Sequence, residues 1–330
     1  MLKTKITEMF GVEYPIIQGG LMWIAKAELT AAVANAGGMG FMTALTHPNA
    51  EALRDEIKKC RDMTDKPFGI NLTFLPSLLP PDYPAYIQAC IDEGIKFIET
   101  AGRSPEPYME QLKGADMKVI HKCTSVRHAL KAQNVGCDAI SIDGFEAAGH
   151  PGEDDVTTLM LVPLCAEALD VPIVASGGLA DGKGLVGCLG LGADAMNMGT
   201  RFVATKEAPC HENVKQALVD HNELSTKLIM RTLRNTERVL ANETVDKVLE
   251  IEGRGNATID DIKEYVGGRR GKEVMLEGGD IQGAVLSAGQ TMGLIQDIPT
   301  CDELIKRIVQ EAEHIIKGKF ASIVGEPIGA

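Results

Sequence analysis

Eight short apolar runs punctuate the first two-thirds of the chain, and each is followed by a stretch with helical spacing. The runs are YPIIQGG (14–20), MGFMTAL (39–45), PFGINLTF (67–74), KFIETAG (96–102), KVIHKCT (118–124), AISIDGF (139–145), PIVASGG (172–178) and AMNMGTRF (195–202). Most are apolar on successive residues, the pattern of a parallel strand covered on both faces. The stretches between them read as helices. AELTAAVANAGG ends at two glycines, NAEALRDEIKKCRDMT spaces Leu53, Ile57 and Cys60 along one face, and SVRHALKAQNVG opens on a serine able to cap it. Strand–helix alternation repeated eight times predicts an α/β protein, a (β/α)8 barrel rather than an open doubly wound sheet. No G-x-G-x-x-G follows the first run, which argues against a dinucleotide-binding Rossmann unit.

The pattern changes after residue 205. The segment 206–280 contains helical pieces and basic residues but no evident strand partner, and predicts a smaller, mainly helical insertion or cap. IQGAVLSAGQTMGLI and CDELIKRIVQEAEHIIKG then read as late helices. The barrel domain is therefore expected to comprise 1–205 and 281–330. The late helices leave two roles open, a homodimer face or a cover for the barrel.

The totals narrow the function. A formal net charge of −13 disfavours nonspecific binding to nucleic acid or to an anionic membrane. No run approaches the ~20 apolar residues of a membrane span. The N-terminus lacks the apolar core of a signal peptide. The eight cysteines form no C-x-x-C pair, so no structural zinc site is expected, and reduced thiols suit a cytoplasmic protein.

Barrels of this kind carry their active sites at the C-terminal ends of the strands. Those ends hold Gln18-Gly19-Gly20, Thr43, Asn71 with Thr73, Glu99 with Thr100, His121 with Lys122, Asp143, Ser176-Gly177-Gly178, and Asn197 with Gly199-Thr200. A barrel would bring them to one mouth. The loops after strands seven and eight form the recurrent phosphate site of the fold, and glycines with hydroxyl neighbours suit that task. The alternative is plain tight turns. Lys122 can meet a phosphate, the N1/C2 side of a flavin ring or a surface acid. His121 and Lys122 point opposite ways on a regular strand, so only one is expected to be central. SIDGFEAAGHPGED sets His150 among small residues that clear space for a ligand, unless the stretch is an ordinary polar loop. Glu153, Asp154 and Asp155 read as a solvated helix start.

Several of these stretches, in order, resemble the FMN-dependent nitronate monooxygenase family, formerly 2-nitropropane dioxygenases. They are YPIIQGGLMWIAKAELTAAVANAGGMG, KPFGINLT, VIHKCTSVRHALKA, ISIDGFEAAGHPGEDD, PIVASGGLADGKG, GADAMNMGTRFVATKE, STKLIMRTLRNTERV and SAGQTMGLI, from about residue 5 to 315. The GHPGEDD form looks most like the bacterial NADH:quinone reductase branch, and a related branch comprises flavin-dependent enoyl-acyl-carrier-protein reductases. The resemblance implies a barrel with a helical second domain and FMN as cofactor. It implies FMN contacts by Gly20, Leu21, Met22, Thr73, Lys122, Asp143 and Ala148, a phosphate end at Ser176, Gly178, Gly199 and Thr200, and His150 as catalytic residue. The implied reaction is oxidation of an alkyl nitronate with O2 to a carbonyl compound and nitrite. The implied alternative is electron transfer from NADH to a quinone in the same cavity.

Two rivals remain at this stage. A catalytically idle flavin- or phosphate-binding barrel would share the strand-end pattern. A nucleotide dehydrogenase barrel would share the glycine pairs but needs a cysteine nucleophile in a glycine-rich loop. Neither Cys123 nor Cys188 is placed for that.

Overall fold

The computed structural model describes residues 2–74 and 81–324. Eight parallel strands close into a barrel in chain order: β1 (Ile16–Gln18), β2 (Met39–Thr43), β3 (Gly69–Phe74), β4 (Phe97–Gly102), β5 (Lys118–Cys123), β6 (Ala139–Asp143), β7 (Ile173–Ser176) and β8 (Ala195–Met198). Ile17 aligns with Met39 on one side and with Asn197 on the other, which closes the ring. All eight runs named from sequence hold a strand, several of them shorter than the run because the polar ends belong to loops.

Alternation along the strands sorts the side chains into layers. Ile17, Met39, Phe41, Ile120, Ala139, Val174 and Ala195 fill the lower barrel interior. The helix Lys5–Phe10 plugs that end with Ile6 and Phe10. Thr4 caps it through a reciprocal pair of bonds with Thr7, at 3.3 and 2.9 Å. Phe10 meets Phe41 and Phe97 edge-on, with ring centres 6.0 and 5.1 Å apart. Two residues further along several strands, the same inward parity delivers Asn71, Glu99, Lys122, Ser141 and Asn197 to the upper interior. An apolar lower barrel thus positions a polar mouth.

The outer helices start where the sequence predicts. Asn49 accepts from the Ala52 amide at 2.9 Å and begins Ala50–Met63, which buries Leu53, Ile57 and Cys60. Ser125 caps Val126–Asn134.

Two departures from the sequence reading matter for function. The segment after 205 includes an antiparallel hairpin, β9 (Thr226–Ile229) with β10 (Glu237–Leu240), where no strand was expected. Each strand has four residues and several are charged, so neither makes an apolar run. The hairpin shares a small separate core with Val245, Val248 and Ile262 from neighbouring helices. The second departure is at 281–295, where a helix was expected. Ala284, Leu286 and Ala288 are buried on alternate residues, the period of extended chain. Leu240 donates its amide to Leu286 at 2.8 Å, and Val239 bridges Ser287. Only Gln290–Leu294 coils, as a short 3-10 turn.

No helix among the described residues is long and apolar enough to cross a membrane.

Candidate active site

Glu99 is the hub of the upper barrel. It is fully buried, and its two oxygens are shared among three strand ends. Oε2 accepts from the Gly20 amide and from Asn71 Nδ2, both at 2.7 Å, and Oε1 accepts from Asn197 Nδ2 at 3.0 Å. Asn71 Oδ1 in turn accepts from the Thr73 hydroxyl at 3.0 Å. Glycine is required at position 20, because a Cβ there would lie 2.2 Å from the Asn71 side chain. In the sequence Glu99 is one polar strand end among several. An acid inside an otherwise apolar run was the available signal.

Lys122 extends over this hub. Its ammonium lies 4.0 Å from Glu99 and 3.5 Å from Asp143. Burial alone would push the Lys122 ammonium down, but the two carboxylates outweigh it and hold the group above the ordinary lysine value. Lys122 is therefore charged at neutral pH. The Asp143 oxygen that faces the Lys122 ammonium, Oδ1, is buried and has no closer hydrogen-bond partner among the described residues. His121 takes the other side of β5. Its Nδ1 pairs with the Thr100 hydroxyl at 2.8 Å. Burial, with a smaller effect from His128, pushes its pKa down to about 4, so the ring is neutral. Of the two, Lys122 is the central residue.

These groups open into a cavity of about 610 Å³, within the ~300–1,000 Å³ range usual for small-molecule sites. Gly20, Thr73, Lys122, Asp143, Ala148 and His150 line it. A narrower notch of about 100 Å³ adjoins it, bounded by Leu21, Ser176, Gly178, Gly199 and Thr200. Gly20, Lys122, Asp143 and Ala148 line both, so the two spaces are neighbours. Gly177 and Gly178 hold φ of +92° and +76°, the left-handed region that glycine enters without strain. The notch gains Gly289 and Thr291 from the extended return segment, and the Gly289 amide donates to the Thr200 hydroxyl at 3.0 Å. Met22 lines neither space. It is exposed, with its sulfur 3.8 Å from the Thr46 hydroxyl.

The loop that carries His150 is fastened to the hairpin. Gly149 exchanges backbone bonds with Arg238, at 3.1 and 2.7 Å. The buried Arg238 guanidinium donates twice to the Phe145 carbonyl, at 3.0 and 2.9 Å, and lies 4.4 Å over the Phe145 ring. Glu153 accepts from the Thr236 amide at 2.9 Å and from its hydroxyl at 2.6 Å, and Asp155 forms a two-pronged pair with Arg231. The acids at 153 and 155 are therefore docking groups, not a solvated helix start. The helix begins at Thr158. Arg238 was missed because some ninety residues separate it from the loop it holds.

The cysteines do not take part. The described cysteines are all free thiols, and seven of the eight are buried. Burial pushes the thiols up, to about 12 for Cys188 and higher still for Cys123. Neither is a nucleophile at neutral pH, which removes the nucleotide dehydrogenase alternative. Among the described residues no cluster of His, Cys, Asp and Glu is arranged to hold a metal ion.

A sequence model of nitronate monooxygenase matches residues 3–311. The chain belongs to the nitronate monooxygenase family. Its relatives are oxidoreductases of more than one kind. It is 32% identical to (3aS,4S,5R,7aS)-5-hydroxy-7a-methyl-1-oxo-octahydro-1H-indene-4-carboxyl-CoA dehydrogenase of Rhodococcus jostii, over 94% of this chain and 96% of the relative. It is 29% identical to a probable nitronate monooxygenase of Staphylococcus saprophyticus, over 96% and 99% of the two chains. Among solved structures, FabK of Thermotoga maritima superposes with a TM-score of 0.89 at 30% identity, over 98% of this chain and all of that one. The family thus accommodates different substrates on one barrel, and the side chains of this particular mouth must carry the functional argument.

Proposed function

We propose that the chain is an FMN-dependent oxidoreductase that oxidises alkyl nitronates with O2 to carbonyl compounds and nitrite. One observation carries the cofactor assignment: a cavity walled by Lys122, Asp143 and Ala148 adjoins a glycine-lined notch bounded by Ser176, Gly178, Gly199 and Thr200. The first suits a flat polar ring and the second a phosphate, and the two share Gly20, Lys122, Asp143 and Ala148 as lining. The Asp143 carboxylate, which faces Lys122, lines both spaces and can accept from a ring or ribityl donor. Lys122, kept charged by its two carboxylates, opposes negative charge that develops on the ring. Bound FMN supplies the electron-accepting chemistry, which no side chain here can provide.

The substrate side falls to His150. It sits on the cavity wall, exposed to entering solutes, on a loop held by the Arg238 and Glu153 contacts. An imidazole there can orient an anionic nitronate through a hydrogen bond, or take the proton from the carbon beside a nitro group.

A second reading is electron transfer from NADH or NADPH to a quinone or an acyl thioester. The basic residues Arg103, Lys131 and Arg234 along the cavity favour it, because a small singly charged nitronate has no use for them. Anaerobic mixing of the yellow protein with propyl nitronate, NADH and NADPH in parallel separates the two. Bleaching by nitronate supports the first reading, and bleaching by a nicotinamide alone replaces it with the second. A His150→Ala protein that keeps its flavin and full turnover removes the histidine from the mechanism.

A further inference from the structure

The outer part of the large cavity is basic in a protein whose formal net charge is −13. Arg103, His128, Lys131 and Arg234 line it beyond Lys122. Its acids among the described residues are Asp143, which faces Lys122, and Glu153, which is committed to Thr236. Among the described residues the guanidinium groups of Arg103 and Arg234 form neither an ion pair nor a side-chain hydrogen bond. Lys131 has only a loose partner in Glu106, at 3.8 Å between two exposed groups. Arg234 also holds a left-handed backbone, φ +52°, at the hairpin turn that Arg231 ties to Asp155. A left-handed backbone is unfavourable for a residue with a Cβ, and here it falls on an arginine that lines the cavity.

Uncompensated cations around one opening repel each other and gain from a shared anion. A nitronate carries a single charge, which a hydrogen bond from His150 can meet without a ring of cations. Cations spread over the outer rim suit an extended ligand with several charges, and arginine favours phosphate through its paired donors. We propose that this rim is a subsite for the phosphate groups of a nucleotide-tailed co-substrate, which enters with its reactive end toward Lys122 and its tail at Arg103 and Arg234. The proposal rests on the flavin reading for the inner cavity and on the second reading of its substrate, a nicotinamide or an acyl thioester. Two tails share this chemistry, that of a pyridine nucleotide with a 2′-phosphate and that of coenzyme A with a 3′-phosphate.

The test is calorimetric titration of the FMN-loaded protein with 2′,5′-ADP, 3′,5′-ADP and adenosine. At least one bisphosphate is expected to bind well above adenosine and to weaken as salt is raised. Preference for the first assigns a pyridine nucleotide, and preference for the second assigns an acyl-coenzyme A. The double variant Arg103→Gln/Arg234→Gln is expected to lose about tenfold or more in affinity, the scale for charge-assisted bonds, while staying yellow. Lys247→Gln, an exposed charge outside the cavity, controls for net charge and is expected to bind as the parent does. Bisphosphates that bind no better than adenosine, or a double variant that binds like the parent, overturn the subsite. A protein that binds them yet stays colourless with FMN overturns the flavin reading instead.

Discussion

Replacing Arg238 with methionine would test whether the hairpin holds the His150 loop or merely touches it. Methionine keeps most of the apolar stem and removes the guanidinium. The loss comprises two bonds to one acceptor, the Phe145 carbonyl, a third to the Thr226 hydroxyl at 2.9 Å, and the contact over the Phe145 ring. Each acceptor bonded to a charged donor contributes about 1.5–3 kcal/mol, and the ring contact about 1. Against this stands the cost of burying the guanidinium, which already pulls its pKa below the ordinary arginine value. A net loss of about 2 kcal/mol is expected. Confined to the loop, that raises local opening roughly thirtyfold. Hydrogen exchange reads it directly, because the Gly149 amide is bonded to the Arg238 carbonyl, a backbone bond that the substitution does not delete. Peptides spanning 144–152 should exchange about thirtyfold faster, with peptides from β3 and β4 unchanged. Unaltered exchange at Gly149 would show that the backbone pair and Glu153 suffice, and the clamp argument fails.

Gly20→Ala should displace Asn71 from Glu99 and cost about 1–3 kcal/mol in urea unfolding, since the new Cβ overlaps the amide; an unchanged midpoint would mean the hub relaxes freely. His121 has a folded pKa of about 4, below its unfolded value, so the unfolded chain binds more protons between about pH 4 and 6.5. Its contribution is therefore complete above about pH 6.5 and lost as the pH falls toward 4, on the order of 3 kcal/mol, and His121→Asn should flatten the stability profile in that window. The cysteine thiols should resist Ellman's reagent in the native protein and react on unfolding; rapid labelling of more than the half-buried Cys210 would contradict their burial.

The barrel was legible in the sequence because its signals are local. Apolar runs such as AISID and IVAS, helix caps such as Asn49 and Ser125, and glycine stops need only their neighbours to be read. Polar strand ends were legible too, since a closed parallel ring gathers whatever its strands carry at that end. The hairpin strands TKLI and ERVL were not, because four-residue strands with charges give no run, and their pairing is decided by partners. The segment around Leu286 offered apolar spacing that a helix or a strand could use, and contact with β10 chose the extended form.

Within the site, the chain by itself determined which strand ends gather at the mouth and that only one of His121 and Lys122 could be central; the folded barrel turned Glu99, Lys122 and Asn197 inward. The chain could not determine their partnerships. That Glu99 joins Gly20 to Asn71 and Asn197, that Glu153 and Asp155 dock on the hairpin, and that Arg234 reaches the cavity holding His150 all depend on pairs separated by tens of residues. Hydrogen bonds and ion pairs act over a few ångströms in space, whatever the distance along the chain, so only the folded arrangement could select them.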